Sequence, residues 1–325
     1  MRRLAGAALA ALLLSSPLAA QAPAPAPAPT LEQVASVPAG RVGIAVIDLA
    51  TGRETAVHGD ERFPMASTVK LAVALTYLSM VDAGRKSLDT EIELPDRFRH
   101  SDGFTEIALH PGVKLSAANW FEFMLTQSDN SAADLLFAEV GGPVAVQRWL
   151  DAHRVTGIHV DRDIGDLLID DMGLPRTPGA SAVQSLRDAD ALPALTEAQQ
   201  DEAAARLAAD PRDQASPLGM ARLLARLDRG ELVSAKCRAF LLDVLSRTRT
   251  GKDRLAKRLP AGSKVQHKTG TLRGVSDDVG IVTLPGGRRF VIAVMTKGIA
   301  DEKARAAIIA EAAASAAAAQ VAISP

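Results

Sequence analysis

Among 325 residues there is a single cysteine, Cys237. It can form no internal disulfide, so stability has to come from packing. Its apolar-rich surroundings, ELVSAKCRAFLLDVL, mark it as a buried small side chain. No segment collects a run of like charges and the formal net charge is −1, which argues against nucleic acid or an anionic membrane as a partner. The apolar run near the start, LAGAALAALLL, is too short to span a bilayer. His58, His100, His110, His153, His159 and His267 show no H-x-x-x-H spacing, and there is no G-x-S-x-G elbow and no glycine-rich phosphate cradle. A zinc site and a serine–histidine triad therefore lack local support, and no metal or cofactor is expected.

What is present begins with an export pattern. Arg2 and Arg3, the apolar run and SSPLAA read as a secretory signal over residues 1–20, cleaved after Ala20. Cleavage would bring the net charge to −1 − 2 = −3. No cysteine follows that point, so no lipid anchor is expected there. The alternating QAPAPAPAPT of residues 21–30 is an extended, semi-rigid spacer. Residues 31–325 then form the folded part, about 290 residues and enough for a sizeable core. A secreted, periplasmic monomer acting on a small molecule is the expected state.

Along this part, RVGIAVIDLATGRETAVHG reads as two strands joined at Thr51-Gly52. A helix opens at Ser67 and ends near Gly84, and the middle of the chain is mostly helical. Ser116 can cap AANWFEFMLTQ, Asn130 or Ser131 can cap AADLLFAEV, and Gly141-Gly142 stops the latter. PVAVQRWLDAHR places proline in a first helical turn. Residues 172–215 read as an elaborated surface loop with one short helix, EAQQDEAAARLAA, behind a Thr196/Gln199 capping box. From Ser263 strands return: KVQHKT, then VGIVTL and RFVIAVMT joined by a tight PGG hairpin, before a helix capped by Asp301. This order predicts an α/β (α+β) fold. One antiparallel sheet is built from both termini (31–62 and 260–325) and flanked by helices. An all-helical subdomain (63–259), with an extended loop at about 160–215, is inserted.

The chemistry is carried by three short stretches. In FPMASTVK, Ser67 and Lys70 stand three apart on a predicted helix, a spacing that puts them on one face. A serine hydroxyl is a poor nucleophile until a base takes its proton, and a partly desolvated lysine can be that base. Roughly one chance S-x-x-K is expected in a chain this long, so the motif alone decides nothing. Ser128-Asp129-Asn130 at a helix junction and Lys268-Thr269-Gly270 in a strand follow it in order. Together the three form the pattern of class A β-lactamases and penicillin-binding proteins.

The chain thus resembles a class A serine β-lactamase, a β-lactamase/transpeptidase-like hydrolase, over nearly its whole mature length. The resemblance implies Ser67 as the acylated nucleophile, Lys70 as its proton partner and Ser128 as the relay to the lactam nitrogen. It implies that Asn130 contacts the substrate's side-chain amide and that Lys268 supplies positive potential beside the substrate carboxylate. Thr269 and Thr271, flanking Gly270, would bind that carboxylate or the amide, and the backbone N–H groups of Ser67 and Thr271 would form an oxyanion hole. Arg254, in TGKDRL, matches a carboxylate-binding arginine of some family members, and Phe104 an aromatic at the cleft mouth, with a core role as its other reading.

One part departs from the family. Class A enzymes deacylate with a loop glutamate acting through water, but VDRDIGDLLIDDMGLP (160–175) contains none. Simple alignment through Asp161-Arg162 puts Ile164 at that place, with Asp163 and Asp166 as nearby candidate bases one methylene shorter. The implied activity is opening of β-lactam rings, an antibiotic-resistance function. The alternatives are a peptidoglycan D,D-peptidase inhibited by β-lactams and a slowly deacylating penicillin-binding or sensing module.

Overall fold

A computed structural model describes residues 28–322. The predicted signal and most of the spacer lie outside the described residues. Five strands form one antiparallel sheet: β1 (Arg41–Asp48), β2 (Glu54–Val57), β3 (Lys264–Leu272), β4 (Val275–Thr283) and β5 (Arg289–Lys297). Their order is β2-β1-β5-β4-β3. The two ends of the chain meet along β1 and β5, in register from Arg41 opposite Lys297 to Asp48 opposite Phe290. The helices are α1 (Leu31–Ala35), α2 (Lys70–Asp82), α3 (Ala117–Thr126), α4 (Asn130–Val140), α5 (Pro143–Ala152), α6 (Ile164–Met172), α7 (Ala182–Ala189), α8 (Glu197–Ala209), α9 (Pro217–Arg229), α10 (Ala235–Leu245) and α11 (Glu302–Ala322).

Strand alternation assigns the two faces of the sheet. Val42, Ile44 and Val46 of β1 and Phe290, Ile292 and Val294 of β5 pack with Ile309, Ala312, Ala313 and Ala316 of α11. The intervening Ala45, Ile47, Val291, Ala293 and Met295 face the large helical core on the other side. Both faces are covered, so these strands read as continuous apolar runs rather than alternating ones. The alanines of α11 favour helix and let it lie close to the sheet. At the centre of the other layer, α2 is buried from Lys70 through Leu78. A helix buried on all sides has no polar face, and this one nevertheless begins at a lysine. Cys237 is buried against this layer, its Sγ 3.8 Å from Leu78 O.

Caps fall at Ser116, at the Thr196/Gln199 box and at Gly141, whose φ of 100° suits glycine. The cap of α4 is corrected: it is Asp129, whose carboxylate accepts from Ala132 N, and not Asn130 or Ser131. The Asn130 side chain is drawn away to Lys70 and Asp102, which leaves the preceding carboxylate to serve the helix. The reading of residues 172–215 is also corrected, since they hold a second helix, α7, capped by Ser181. Though only eight residues long, α7 carries Val183 and Leu186 three apart on one face behind the Ser181 cap, and that spacing was the signal available in the sequence. The segment closes at a neck where buried Arg162 donates from Nε to Asp213 Oδ2 (2.5 Å) and from Nη1 to Asp170 Oδ2 (2.5 Å). Asp213, at φ 51°, accepts in turn from the backbone N–H groups of Asp161 and Arg162.

Candidate active site

Three elements converge at one end of the sheet. Ser67 lies in a short 3-10 turn, Ala66–Val69, that runs directly into α2. In such a turn, side chains three apart eclipse, so Ser67 and Lys70 share a face more closely than an ideal α-helix would place them. The preceding residue, Ala66, is buried with φ 44°, a left-handed conformation that a side-chain-bearing residue adopts at a cost. β3 passes tightly behind it. A Cβ on Gly270 would lie 2.8 Å from Met65 O and 3.0 Å from the Ala66 Cβ, so a larger residue there would push β3 off the serine turn. Ser128, between α3 and α4, is a second non-glycine residue with positive φ, at 63°.

Both lysines point into this space and are fully buried. Lys70 Nζ donates to Ser128 O (2.5 Å), to Asn130 Oδ1 (2.8 Å), and at longer range to Asp129 O (3.3 Å) and Ser128 Oγ (3.4 Å). Lys268 Nζ donates to the same Ser128 Oγ at 2.8 Å and to Thr269 O at 2.7 Å. One hydroxyl thus bridges the two amines. Burial of an ammonium is costly unless acceptors surround it, and here it lowers the Lys70 pKa to about 8 against the opposing pull of Asp129, Asp134 and Asp102. Burial and the nearby Lys70 charge hold Lys268 well below the usual lysine range. An amine titrating near neutrality can accept a proton as well as donate one.

The remaining predicted residues fall at different distances from this centre. Thr271 is exposed on β3, while Thr269 is buried with its Oγ1 2.6 Å from Thr250 Oγ1. Arg254 is buried behind the strand. It donates from Nη1 to Gly270 O (2.9 Å) and Asp277 O (3.0 Å), and from Nη2 to Thr271 Oγ1 (2.7 Å). Its positive charge therefore reaches the cleft through the Thr271 hydroxyl rather than as an open fork. Phe104 packs edge-on against Trp120 and tilted against Phe123, ring centroids 5.7 and 4.6 Å away, and its N–H donates to Asp129 Oδ2. It braces the Ser128-Asp129-Asn130 turn from the core side.

In the departing segment, Ile164 is buried in the first turn of α6. Asp163 caps that helix, accepting from Asp166 N at 2.9 Å. Burial, reinforced by the neighbouring Asp134 carboxylate, raises its pKa to about 6. Asp166 instead pairs with Arg176. Sequence reading passed over Asp134 and His100. Asp134 accepts from Ile164 N (2.7 Å), Gly165 N (3.0 Å) and His100 Nε2 (2.7 Å), and so fixes the start of α6. Its position four residues after Asn130, on the same face of α4, was the available signal. Among the described residues no group of three or more His, Cys, Asp or Glu could hold a metal, and no helix is long and apolar enough to cross a membrane.

The model of the β-lactamase enzyme family matches residues 27–320. The chain belongs to that family. The β-lactamase of Streptomyces fradiae is 30% identical over 278 residues, covering 84% of this chain and 79% of that protein. The β-lactamase VEB-1 of Pseudomonas aeruginosa is 26% identical over 274 residues, covering 81% and 80%. Among solved structures, the class A β-lactamase of the last common ancestor of Gram-negative bacteria matches with a TM-score of 0.72 at 32% identity, covering 89% of this chain and 97% of that one. The class A β-lactamase fold thus extends over the sheet, the helical layer and the site between them, and the protein is an enzyme of that family.

Proposed function

We propose that this enzyme hydrolyses β-lactams through an acyl-enzyme on Ser67. The observation that carries the reading is the convergence of two buried lysine amines on Ser128 Oγ beside the Ser67 turn. With Lys70 near pKa 8, about a tenth of it is neutral at pH 7. That neutral amine takes the Ser67 proton as Oγ attacks the lactam carbonyl carbon. The backbone N–H groups of Ser67 and Thr271 receive the developing oxyanion. As the C–N bond breaks, the lactam nitrogen takes a proton from Ser128 Oγ, which is restored from Lys70. Lys268, with Thr271 backed by Arg254, binds the substrate carboxylate, and Asn130 the side-chain amide.

A water then attacks the ester carbonyl carbon, its proton passing to Asp163 and, as the C–O bond breaks, on to the departing Ser67 Oγ. A carboxylate of pKa about 6 is ionised at neutral pH and is a stronger base than an ordinary aspartate. The missing loop glutamate favours a second reading, in which the same acyl-enzyme forms and persists, as in a penicillin-binding module or an inhibited peptidase. Export to the periplasm, action as a monomer without a membrane anchor and a role in antibiotic resistance complete the proposal.

Intact-mass measurements during reaction with a chromogenic cephalosporin test it. A transient adduct with continuing turnover is expected, and Ser67→Ala should show neither. An adduct on Ser67→Ala would sink the assignment. A persistent wild-type adduct without turnover would select the second reading.

A further inference from the structure

His100 ties together elements that are far apart in sequence. It follows the short 3-10 turn Asp96–Phe98 and is buried. Its backbone N–H donates to Ser131 Oγ of α4 at 3.0 Å, and its carbonyl accepts from Thr105 Oγ1. From the other side, the Arg187 guanidinium of α7 donates to Asp96 O (3.1 Å) and to Arg99 O, the carbonyl of the preceding residue. With its main chain held in this way, His100 sends the imidazole inward to Asp134, Nε2 lying 2.7 Å from Oδ2. Asp134 is only 2% exposed, so a donor lost from it is not replaced by bulk water. Its other two donors are the N–H groups of Ile164 and Gly165, the residues that directly follow Asp163.

We propose that His100 is a positioning residue for deacylation: by fixing the Asp134 carboxylate against the first turn of α6, it sets where Asp163 meets the attacking water. The inference rests on the reading of Asp163 as the base given above. It also gives the inserted helix α7 a part in the reaction, because Arg187 holds the segment from which His100 reaches inward. Without the imidazole, Asp134 keeps two backbone donors but loses the side-chain contact that fixes its orientation. A misplacement of about 1 Å at a reacting group can cost about 10²-fold in rate. The hold on Lys70 by Ser128 O and Asn130 Oδ1 does not run through His100, so acylation should be spared.

The test follows the Ser67 adduct of a chromogenic cephalosporin by intact mass, with the melting temperature of every variant measured alongside. His100→Leu should lengthen the adduct lifetime about tenfold and leave adduct formation within about threefold of wild type. His100→Asn keeps a polar side chain that stops short of Asp134, so it should match His100→Leu and carries the test if the leucine variant does not fold. His100→Gln places an amide N–H donor near the position of Nε2 and should restore the lifetime to within about threefold of wild type. Added to Asp163→Asn, either loss variant should lengthen the lifetime by less than about twofold more, because its effect passes through Asp163. An unchanged lifetime in the loss variants, an equal defect in His100→Gln, or a full additional loss on Asp163→Asn would each overturn the positioning role and leave Asp163 as the base. If Asp163→Asn does not slow adduct loss, or if the wild-type adduct never clears, the reading of Asp163 and this inference fall together.

Discussion

Two regions of this molecule meet at one cleft and are built in different ways. The cluster of Ser67, Lys70, Ser128 and Lys268 sits on the ends of buried elements, α2, the α3–α4 turn and β3, and its amines are fully enclosed. The segment from Asp161 to Asp213 is tied at its neck by the buried Arg162–Asp213 pair, while Asp166 and Asp170 farther along are partly exposed and paired with the surface arginines Arg176 and Arg212. The first region is held by packing, so its geometry tolerates almost no substitution. Beyond its buried neck the second is held by partly exposed ion pairs, which individually contribute about 1 kcal/mol or less. In the mechanism proposed above, acylation belongs to the first region and deacylation to the second. On that proposal, the step that forms the covalent bond rests on the fully buried part, and the step that releases it rests on the part with the more exposed ties.

The sharpest way to break this comparison is Lys70→Ala. It removes the proposed base and leaves Ser128 O and Asn130 Oδ1 without their donor. Acylation should fall by about 10³-fold, within the usual range for loss of a positioned base. In the wild type, acylation should rise with pH through about 8, because only the neutral amine accepts the Ser67 proton. Single-turnover rates between pH 6 and 9 check both expectations. A flat profile would remove Lys70 from the proton path.

Asp163→Asn comes next and should move two observables in opposite directions. Deacylation should slow by about 10²-fold, since an amide cannot take the water's proton, and adduct lifetime by mass measures this directly. Stability should rise at neutral pH. The folded pKa of Asp163, about 6, lies above its ordinary 3.8, so the fold prefers the protonated form. Its relative stability is greatest below about pH 4 and is lost as pH rises through 6. At pH 7 the ionised carboxyl costs up to about 3 kcal/mol, at 1.36 kcal/mol per pKa unit. Asparagine caps a helix as well as aspartate does, so the variant should melt several degrees higher at pH 7.5 and show little advantage at pH 4.

The same contrast explains what could be read from the chain. The sheet was legible because burial on both faces forces apolar runs, and the hairpin turns at Thr51-Gly52 and Pro285-Gly286-Gly287 punctuate them. The i,i+3 spacing of Ser67 and Lys70 fixes their shared face, and Ser128 and Lys268 were singled out because their triplets follow that motif in a known order. The structure brings the two lysine amines and the Ser128 hydroxyl together. The inserted segment was not legible. α7 has an apolar face at Val183 and Leu186 and a Ser181 cap, but its eight residues carry that pattern for only about two turns. The packing of Leu207 from α8 with Ala66, Leu167 and Leu272 joins residues far apart in sequence and has no local sign. This contact makes what looked like a surface excursion a neighbour of the residue preceding the nucleophile. Arg273 reinforces it by donating to Asp201 Oδ1 (2.7 Å) and Gln200 Oε1 (2.8 Å) across the β3–β4 turn.

The smallest expected effect comes from Asp166→Asn, and its smallness makes it informative. Asp166 stands three residues after Asp163 and offers the same functional group, so local sequence ranks the two alike. The structure separates them. Asp163 is turned inward beside Asp134, whereas Asp166 is more than a third exposed and holds Arg176. Loss of an exposed ion pair costs about 1 kcal/mol at most, and the proton acceptor is untouched, so deacylation should stay within about threefold and the melting temperature within about 2–4 °C. If adduct loss instead slows a hundredfold in Asp166→Asn and is unchanged in Asp163→Asn, the outward carboxylate is the base. Arg176 would then have to leave it during turnover, and the loosely held segment would be a moving part of the reaction rather than a fixed wall beside it.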